Sequence, residues 1–368
     1  MIRPNNFERQ WTDIGPKVLA AVERVGSSGR YILGSEVERF EKALAEYCGV
    51  THAVGVGNGL DALEISLRCL GLRAGQRVLT TPFSAFATTL AILRVGGIPV
   101  FADVDDSGNL DLDQAREILA ADRSIRFLLP VHLYGNPLDL EKLARLKQEF
   151  HLMVVEDCAQ AIGAKHGGRA VGTVGQAAGT SFYPTKNLGA LGDAGAVLTD
   201  DHEVAAKARM LRNYGQTALY QHDEIGLNSR IDELQAAILT DALLPCLAEW
   251  TEKRRSIATR YVEEIRNPSV RTLQPMDGSQ PVWHIFPLFA KNQEALALYL
   301  GQSQIQTLVH YPRIIPEQKA CKEARYEIAA DPVNARKLAA TEISLPIHPF
   351  LEERETAEII RAVNRFEC

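Results

Sequence analysis

The sequence predicts an α/β fold with a large, mostly parallel sheet domain followed by a smaller C-terminal α/β domain. Short apolar runs recur near 52–56, 77–80, 98–101, 127–131, 152–156, 180–183 and 195–198, and stretches with helical apolar spacing lie between them. Leu152–Val155 carries no polar residue at all, the pattern of a strand covered on both faces. The chain has 368 residues, 46% of them hydrophobic and 23% charged, which suffices for one large core plus a smaller one.

Taken in order, Ala53–Val56 reads as a strand end, and Gly55-Val56-Gly57-Asn58-Gly59 turns into a helix over Asp61–Leu70 with Leu63, Leu67 and Leu70 on one side. The small, apolar stretch Ala85–Ala102 is interrupted by Arg94 and two glycines, so no membrane span is expected there. A long helix begins near Asp232, and Pro245 bends it at a domain junction. That divides the chain into 1–244, an N-terminal segment plus the large domain, and 245–368, the small one. Pro275–Pro281 is a turn-rich connector, after which Val282–Ala290, Gln306–His310 and Ser344–Ile347 read as strands. The first thirty residues pack beside the small domain or across a dimer, and the sequence leaves both open.

Composition excludes several function classes. A net charge of −6 argues against a generic nucleic-acid surface. Cys48, Cys69, Cys158, Cys246, Cys321 and Cys368 show neither metal-ligand spacing nor a dense disulfide pattern, so reduced thiols and a cytoplasmic protein are expected. The start, Met1-Ile-Arg-Pro-Asn-Asn, lacks the apolar stretch of a signal peptide. No internal repeat or low-complexity block interrupts the chain.

The chemistry is read from Lys186. An apolar strand over Thr180–Tyr183 stops, Pro184 turns the chain, and the lysine precedes a run of small residues, Gly189–Ala196, that would admit a flat ligand. A lysine held this way can form an imine with an aldehyde cofactor. A solvated surface lysine is the default for any single Lys. Asp157 follows the apolar run 152–155, where open parallel sheets place their ligand crevices. A carboxylate there can hold a protonated pyridine nitrogen, or can cap the turn that follows. From that same turn Gln160 could reach a ring oxygen, and Ala159 is small enough to lie under a ring face. The loop Gly57-Asn58-Gly59 opens a helix and offers free N–H groups to a phosphate. Its G-x-G-x-G spacing is not that of a dinucleotide site, which disfavours a nicotinamide dehydrogenase.

With these residues in place the chain resembles the DegT/DnrJ/EryC1/StrS sugar aminotransferases, a branch of the fold-type I, aspartate aminotransferase-like enzymes that use pyridoxal phosphate (PLP). The resemblance runs from Tyr31–Glu41 through Gly57–Leu63, His132–Gly135, Glu156–Gln160, Ser181–Gly195, Leu211–Gly215 and Gly226–Ala237 to Val282–His284, His310–Pro312 and Ser344–Pro346. It implies that Lys186 bonds the cofactor aldehyde, Asp157 faces the pyridine nitrogen and Gln160 the phenolic oxygen. It places Phe86 on the ring face and Asn58, Gly59, Leu60 and Ser181 around the phosphate, with Asn228 reaching the phosphate from a neighbouring subunit. A homodimer with shared active sites follows. The implied reaction is transamination of a nucleotide-linked keto sugar with L-glutamate as amino donor. Leu60 stands where most relatives have a threonine. Asn58-Gly59-Leu60 and Leu211–Gly215 point to 3-keto dTDP-6-deoxyhexoses, with 4-keto sugars as the alternative. Tyr183, His310 and Tyr311 are candidates to line the sugar pocket, with packing roles equally open, and Arg212 and Arg230 could grip the diphosphate or form salt bridges. His132 follows a strand near the cofactor region, and its role stays open. A silent PLP-binding regulator is the rival class, disfavoured by the retained lysine and by the lack of a helix-turn-helix module. A sugar dehydratase would carry histidine in place of Lys186.

Overall fold

The computed structural model describes residues 1–367. Helices α1 (Phe7–Ser28) and α2 (Ser35–Cys48) precede β1 (His52–Val56), α3 (Gly59–Cys69), β2 (Arg77–Thr80), α4 (Phe86–Arg94), β3 (Ile98–Phe101), α5 (Leu112–Ala121), β4 (Phe127–Leu129), α6 (Leu140–Glu149) and β5 (Met153–Asp157). A small hairpin, β6 (Lys165–His166) and β7 (Arg169–Ala170), leads to β8 (Ala177–Ser181), β9 (Gly195–Thr199) and α7 (His202–Leu211). The hairpin arm of β10 (Gln216–Ala218) and β11 (Gln221–His222) follows, then α8 (Glu233–Ile238) and α9 (Leu247–Glu264). The remainder is β12 (Val270–Thr272), β13 (Ser279–Gln280), β14 (Phe286–Ala290), α10 (Gln293–Gln302), β15 (Glu327–Ile328), α11 (Val333–Thr341), β16 (Glu342–Leu345) and α12 (Glu353–Arg365).

Eight strands form the large sheet in the order β1-β9-β8-β5-β4-β2-β3-β15. Pairings from β8 through β15 are parallel, while β9 runs antiparallel to both β1 and β8. The carboxyl ends of β5 and β2 therefore open at one edge, where α3 and α4 also begin. A second sheet, β12-β14-β16, is antiparallel and carries the smaller core. No helix among the described residues is long and apolar enough to cross a membrane.

Several expectations shift. The strand placed at 180–183 lies at Ala177–Ser181, because α3 packs so closely on it that a Cβ at Gly179 would come within 2.7 Å of Leu63. Only small residues fit there, so the bulky pair that suggested a strand lies past its end. Phe182 instead packs edge-on against Phe40, ring centroids 5.4 Å apart. Gln306–His310 is not a strand and makes only an isolated bridge, Leu308 to Ser344. The strand expected from Val282 starts at Phe286, since the N–H groups of Val282 and Ile285 bond to the carbonyls of Gly135 and Tyr134. Around Pro245 the helix is rewound rather than broken. A π-type turn over Leu239–Leu243 and a tight turn over Leu244–Cys246 join α8 to α9, because proline removes one N–H from the ladder.

Chain crosses the expected division at 244 more than once. Leu247 and Trp250 at the start of α9 pack into the large core, whereas Ile257, Ala258 and Tyr261 further along pack into the small one. β15 returns from the C-terminal half to edge the large sheet. Ile2 bridges Ile305, while α1 buries Ile14, Val18 and Val25 in the large core, so the first thirty residues serve both. Replacing Gly179 with alanine is expected to cost about 1–3 kcal/mol through overpacking. A denaturation midpoint equal to the parent's would contradict this account of β8.

Candidate active site

Asp157 ends β5 with its side chain almost fully buried. Oδ2 accepts from the Thr88 hydroxyl at 2.8 Å, and Oδ1 accepts from the Ala159 N–H at 3.1 Å. No helix follows, so the expected capping role becomes a short turn closed by Oδ1. Burial raises the Asp157 pKa above the usual carboxylate value, while Thr88, the Ala159 N–H and the charge of Lys186 pull the other way. Thr88 lies 69 residues away in sequence, on α4, and nothing local marks it as a partner.

Lys186 sits in the loop leaving β8. The loop is tight: the Lys186 N–H donates to the Tyr183 carbonyl at 2.8 Å, and the Ala190 N–H to that of Phe182 at 2.7 Å. The small residues after it have a different cause from the one expected. A Cβ at Gly189 would lie 2.2 Å from the Pro184 carbonyl oxygen, and one at Gly195 would lie 2.4 Å from the carbonyl carbon of Asn58. Close backbone packing, not ligand clearance, excludes side chains at both. Burial lowers the Lys186 pKa to about 8, with Asp157 opposing. The loss of solvation outweighs the neighbouring carboxylate, so a free amine becomes accessible near neutral pH.

Asn58 caps α3: its Oδ1 accepts from the Asp61 N–H at 2.8 Å and its Nδ2 donates to Asp61 Oδ2 at 3.0 Å. The Asn58 side chain is therefore committed to shaping the turn. The N–H groups of Gly59 and Leu60 find no acceptor among the described residues and remain at the positive end of the helix. Ser181 closes the other side, so near that a Cβ at Gly59 would fall 2.6 Å from the serine Cβ. Gln160 bridges two elements, accepting the Tyr134 N–H at 2.6 Å and donating to the Tyr311 hydroxyl at 3.1 Å. Phe86 begins α4, half-buried beside Phe101 and Ile315.

A cavity of about 140 Å³ beside this loop is lined by Thr185, His284, His310, Ser344, Leu308 and the N-terminal Pro4 and Asn5. Lys186 lines a smaller one of about 20 Å³ with Asn5, Asn187, Arg254 and His348. His310 thus joins the site and Tyr311 reaches it through Gln160, whereas Tyr183 is about half exposed at the loop's outer edge. Arg230 donates to Asn213 Oδ1 at 2.8 Å and stacks on Tyr214, and Asn228 beside it is exposed, with no side-chain hydrogen bond among the described residues.

Two residues left open by the sequence find structural places. Arg212 is corrected as a diphosphate grip: it is buried, ion-paired with Glu41 and bonded to the Gly55 carbonyl at 2.8 Å, so it braces β1 from behind. His132 has a structural place. Its Nδ1 accepts the Leu138 N–H at 3.1 Å, leaving Nε2–H to donate to Glu156 at 2.9 Å. Glu156 also accepts the N–H groups of Gly172, Val174 and Gly175. Burial raises its pKa, but these bonds and His132 outweigh it and hold it below the usual range.

An amine poised for imine formation, a buried acid and an open helix N-terminus meet at the carboxyl edge of a parallel sheet, the arrangement that binds a phosphate-bearing aldehyde. The chain belongs to the DegT/DnrJ/EryC1/StrS aminotransferase family, whose pattern matches residues 12–364, and this is a family of PLP-dependent sugar aminotransferases. It is 41% identical over 351 residues to the dTDP-3-amino-3,6-dideoxy-alpha-D-galactopyranose transaminase of Aneurinibacillus thermoaerophilus, covering 95% of each chain. It is 38% identical over 364 residues to a pleiotropic regulatory protein of Geobacillus stearothermophilus, covering 98% of this chain and 97% of the relative. Among solved structures it is similar to S. venezuelae DesV in complex with a ketimine intermediate, with a TM-score of 0.94 and 37% identity, covering 99% of this chain and 97% of that one.

The lowered Lys186 pKa gives a signed expectation. On cofactor-free protein, the rate of imine formation with added pyridoxal phosphate, followed by absorbance, should rise through about pH 8 as the amine loses its proton. A rise only near the ordinary lysine value would contradict the burial argument.

Proposed function

We propose that this protein transfers the amino group of L-glutamate to the 3-keto position of a dTDP-linked 6-deoxyhexose, with PLP bound at Lys186. The observation that carries the reading is the Lys186–Asp157 pair beside two unused N–H groups at the start of α3. The residues fit the cofactor: the notch between Gly59 and Ser181 has no room for a Cβ, and its free donors suit a phosphate. Lys186 would hold the aldehyde, Gly59, Leu60 and Ser181 the phosphate, Asp157 the ring nitrogen, and Gln160 and Phe86 the rest of the ring. When bound, PLP supplies the electron sink for the bond electrons released as the donor's α-proton leaves.

The chain's own part is proton transfer and positioning. Lys186, once its amine is free, would take the donor's α-proton and deliver it to the carbon that was the cofactor's aldehyde carbon, two bonds away. Its pKa of about 8 suits both directions near neutrality. Thr88 and the Ala159 N–H hold the Asp157 carboxylate in place while supplying no cation of their own. The acid's charge is thus left for the pyridine nitrogen. The 3-keto assignment rests on the Asn58-Gly59-Leu60 loop and on the similarity to the Aneurinibacillus transaminase.

Shared sites in a homodimer and a cytoplasmic location belong to the same proposal. Exposed Asn228 and half-buried Arg230 support sharing, since neither side chain bonds to its own chain's phosphate notch, and Arg230 would meet the diphosphate. The five cysteines among the described residues are unpaired, as in a reducing compartment. The relative named as a regulatory protein favours one second reading, a cofactor-binding regulator. Glutamate separates the two: conversion of the bound cofactor to its amine form supports catalysis, and an unchanging spectrum supports the regulator.

Lys186→Ala should abolish turnover, a loss of at least ~10³-fold, while leaving the fold intact by circular dichroism, because it removes both the nucleophile and the base. Turnover within tenfold of the parent would defeat the proposal. Mixing Lys186→Ala with Asn228→Ala subunits should raise cofactor affinity above that of Asn228→Ala alone if a neighbour completes each site. Unaltered affinity in the mixture would mean that sites are not shared.

A further inference from the structure

Glu342 begins β16 with no exposed surface and no cation paired with it among the described residues. An unpaired carboxylate so deep in a strand is costly and needs a physical reason. Both oxygens are engaged, one by His310 directly and one through Ser344. Oε2 accepts the His310 backbone N–H at 2.6 Å, and Oε1 bonds the Ser344 hydroxyl, whose oxygen lies 2.7 Å from His310 Nδ1. The Tyr134 hydroxyl holds the His310 carbonyl at 2.7 Å, so the histidine backbone is pinned at both ends. His310 and Ser344 line the 140 Å³ cavity beside the Lys186 loop, together with Thr185 and His284.

We propose that Glu342, acting through Ser344, decides which ring nitrogen of His310 carries the proton, and so whether the pocket is offered a hydrogen-bond acceptor or a donor. The deduction follows from valence. When Glu342 is ionised, the Ser344 O–H donates to it, so the serine oxygen must accept Nδ1–H from His310. Nε2 is then bare and accepts. When Glu342 is protonated, its O–H donates to the serine oxygen, the serine O–H donates to Nδ1, and Nε2 carries the hydrogen. The two states differ by one proton, taken up at Nε2 and relayed through Nδ1 and Ser344 to rest on Glu342. The acceptor state suits a sugar hydroxyl, and the donor state suits a keto oxygen.

The surroundings keep both states within reach. Burial raises the Glu342 pKa to about 8, against the lowering by Ser344 and the His310 N–H. Burial, then the Lys186 charge, lowers His310 to about 4, so the ring stays neutral and must choose a tautomer. Other titratable groups facing the relay are Tyr134 and Tyr311, both raised by burial, and His284, lowered by burial and by Lys186. From α10, only the uncharged Gln293 side chain reaches Glu342, at its backbone carbonyl. Glu342 is therefore a positioning residue for the keto-sugar reaction, and the inference rests on the proposed function for its substrate class.

Nitrogen-15 NMR of histidine-labelled holoenzyme reads the tautomer directly, with the His310 signal assigned by its loss in His310→Gln. Kinetics alone would not separate the relay, because Lys186 also titrates at about 8. In the parent, His310 should pass from Nε2–H to Nδ1–H as pH rises through about 8. In Glu342→Gln the amide oxygen stays on the His310 N–H and the NH₂ group donates to Ser344, so Nε2–H should hold on both sides. Ser344→Ala should uncouple the ring from Glu342 even if the glutamine variant fails to fold. A parent tautomer that does not change, or a Ser344→Ala ring that changes as the parent does, would overturn the relay. Cofactor conversion by glutamate is scored separately, so failure of the aminotransferase reading remains distinguishable from failure of the relay.

Discussion

The organising constraint is a buried acid facing a half-buried, poorly solvated amine at the carboxyl edge of a sheet. Asp157 and Lys186 each lose solvation, which pushes the acid up and the amine down, and their mutual attraction only partly reverses this. A pair so poorly solvated is expensive for a fold that uses it only for stability. It is useful where one member must give up its proton and the other must keep a charge for a ligand. The surrounding structure serves that arrangement: Thr88 and the Ala159 N–H steady the acid, and a loop packed on its own carbonyls steadies the lysine.

Around that pair the framework is spent on backbone fit. Gly179, Gly189 and Gly195 are small because neighbouring chain lies against them, not because a ligand does. Glu156 and His132 occupy a fully buried knot beneath the site, where four donors converge on one carboxylate. Arg212 meets Glu41 in the same spirit. Such knots fix where β5 and β1 end, and therefore where Asp157 and the start of α3 stand. The apolar groove of about 340 Å³ lined by Phe7, Trp11, Ile14 and Leu191 runs against the outer side of the Lys186 loop, where Pro184, Gly189 and Ala190 also line it.

Much of this was legible in the residues. The strands at 52–56, 77–80 and 98–101 follow from apolar runs, and they were readable because both faces of the sheet are covered. Lys186, Asp157 and the Gly57–Gly59 loop were legible because each stands at or shortly past the end of a strand. The displaced strand Ala177–Ser181 was hidden, since its small residues carry little hydrophobic signal while Phe182 and Tyr183 carry a great deal. Thr88 and Glu342 were invisible for another reason: their meaning comes from partners far away in sequence. Arg212 stayed undecided between a diphosphate grip and a salt bridge because a basic residue in a family motif looks the same whether it meets a phosphate or a buried glutamate.

Borohydride reduction of the yellow holoenzyme followed by peptide mapping tests the central claim most directly. The account predicts one pyridoxyl label, on the ε-amine of Lys186 in the peptide that spans Tyr183–Gly189. A label fixed on any other side chain, or a chain that retains none, would contradict it.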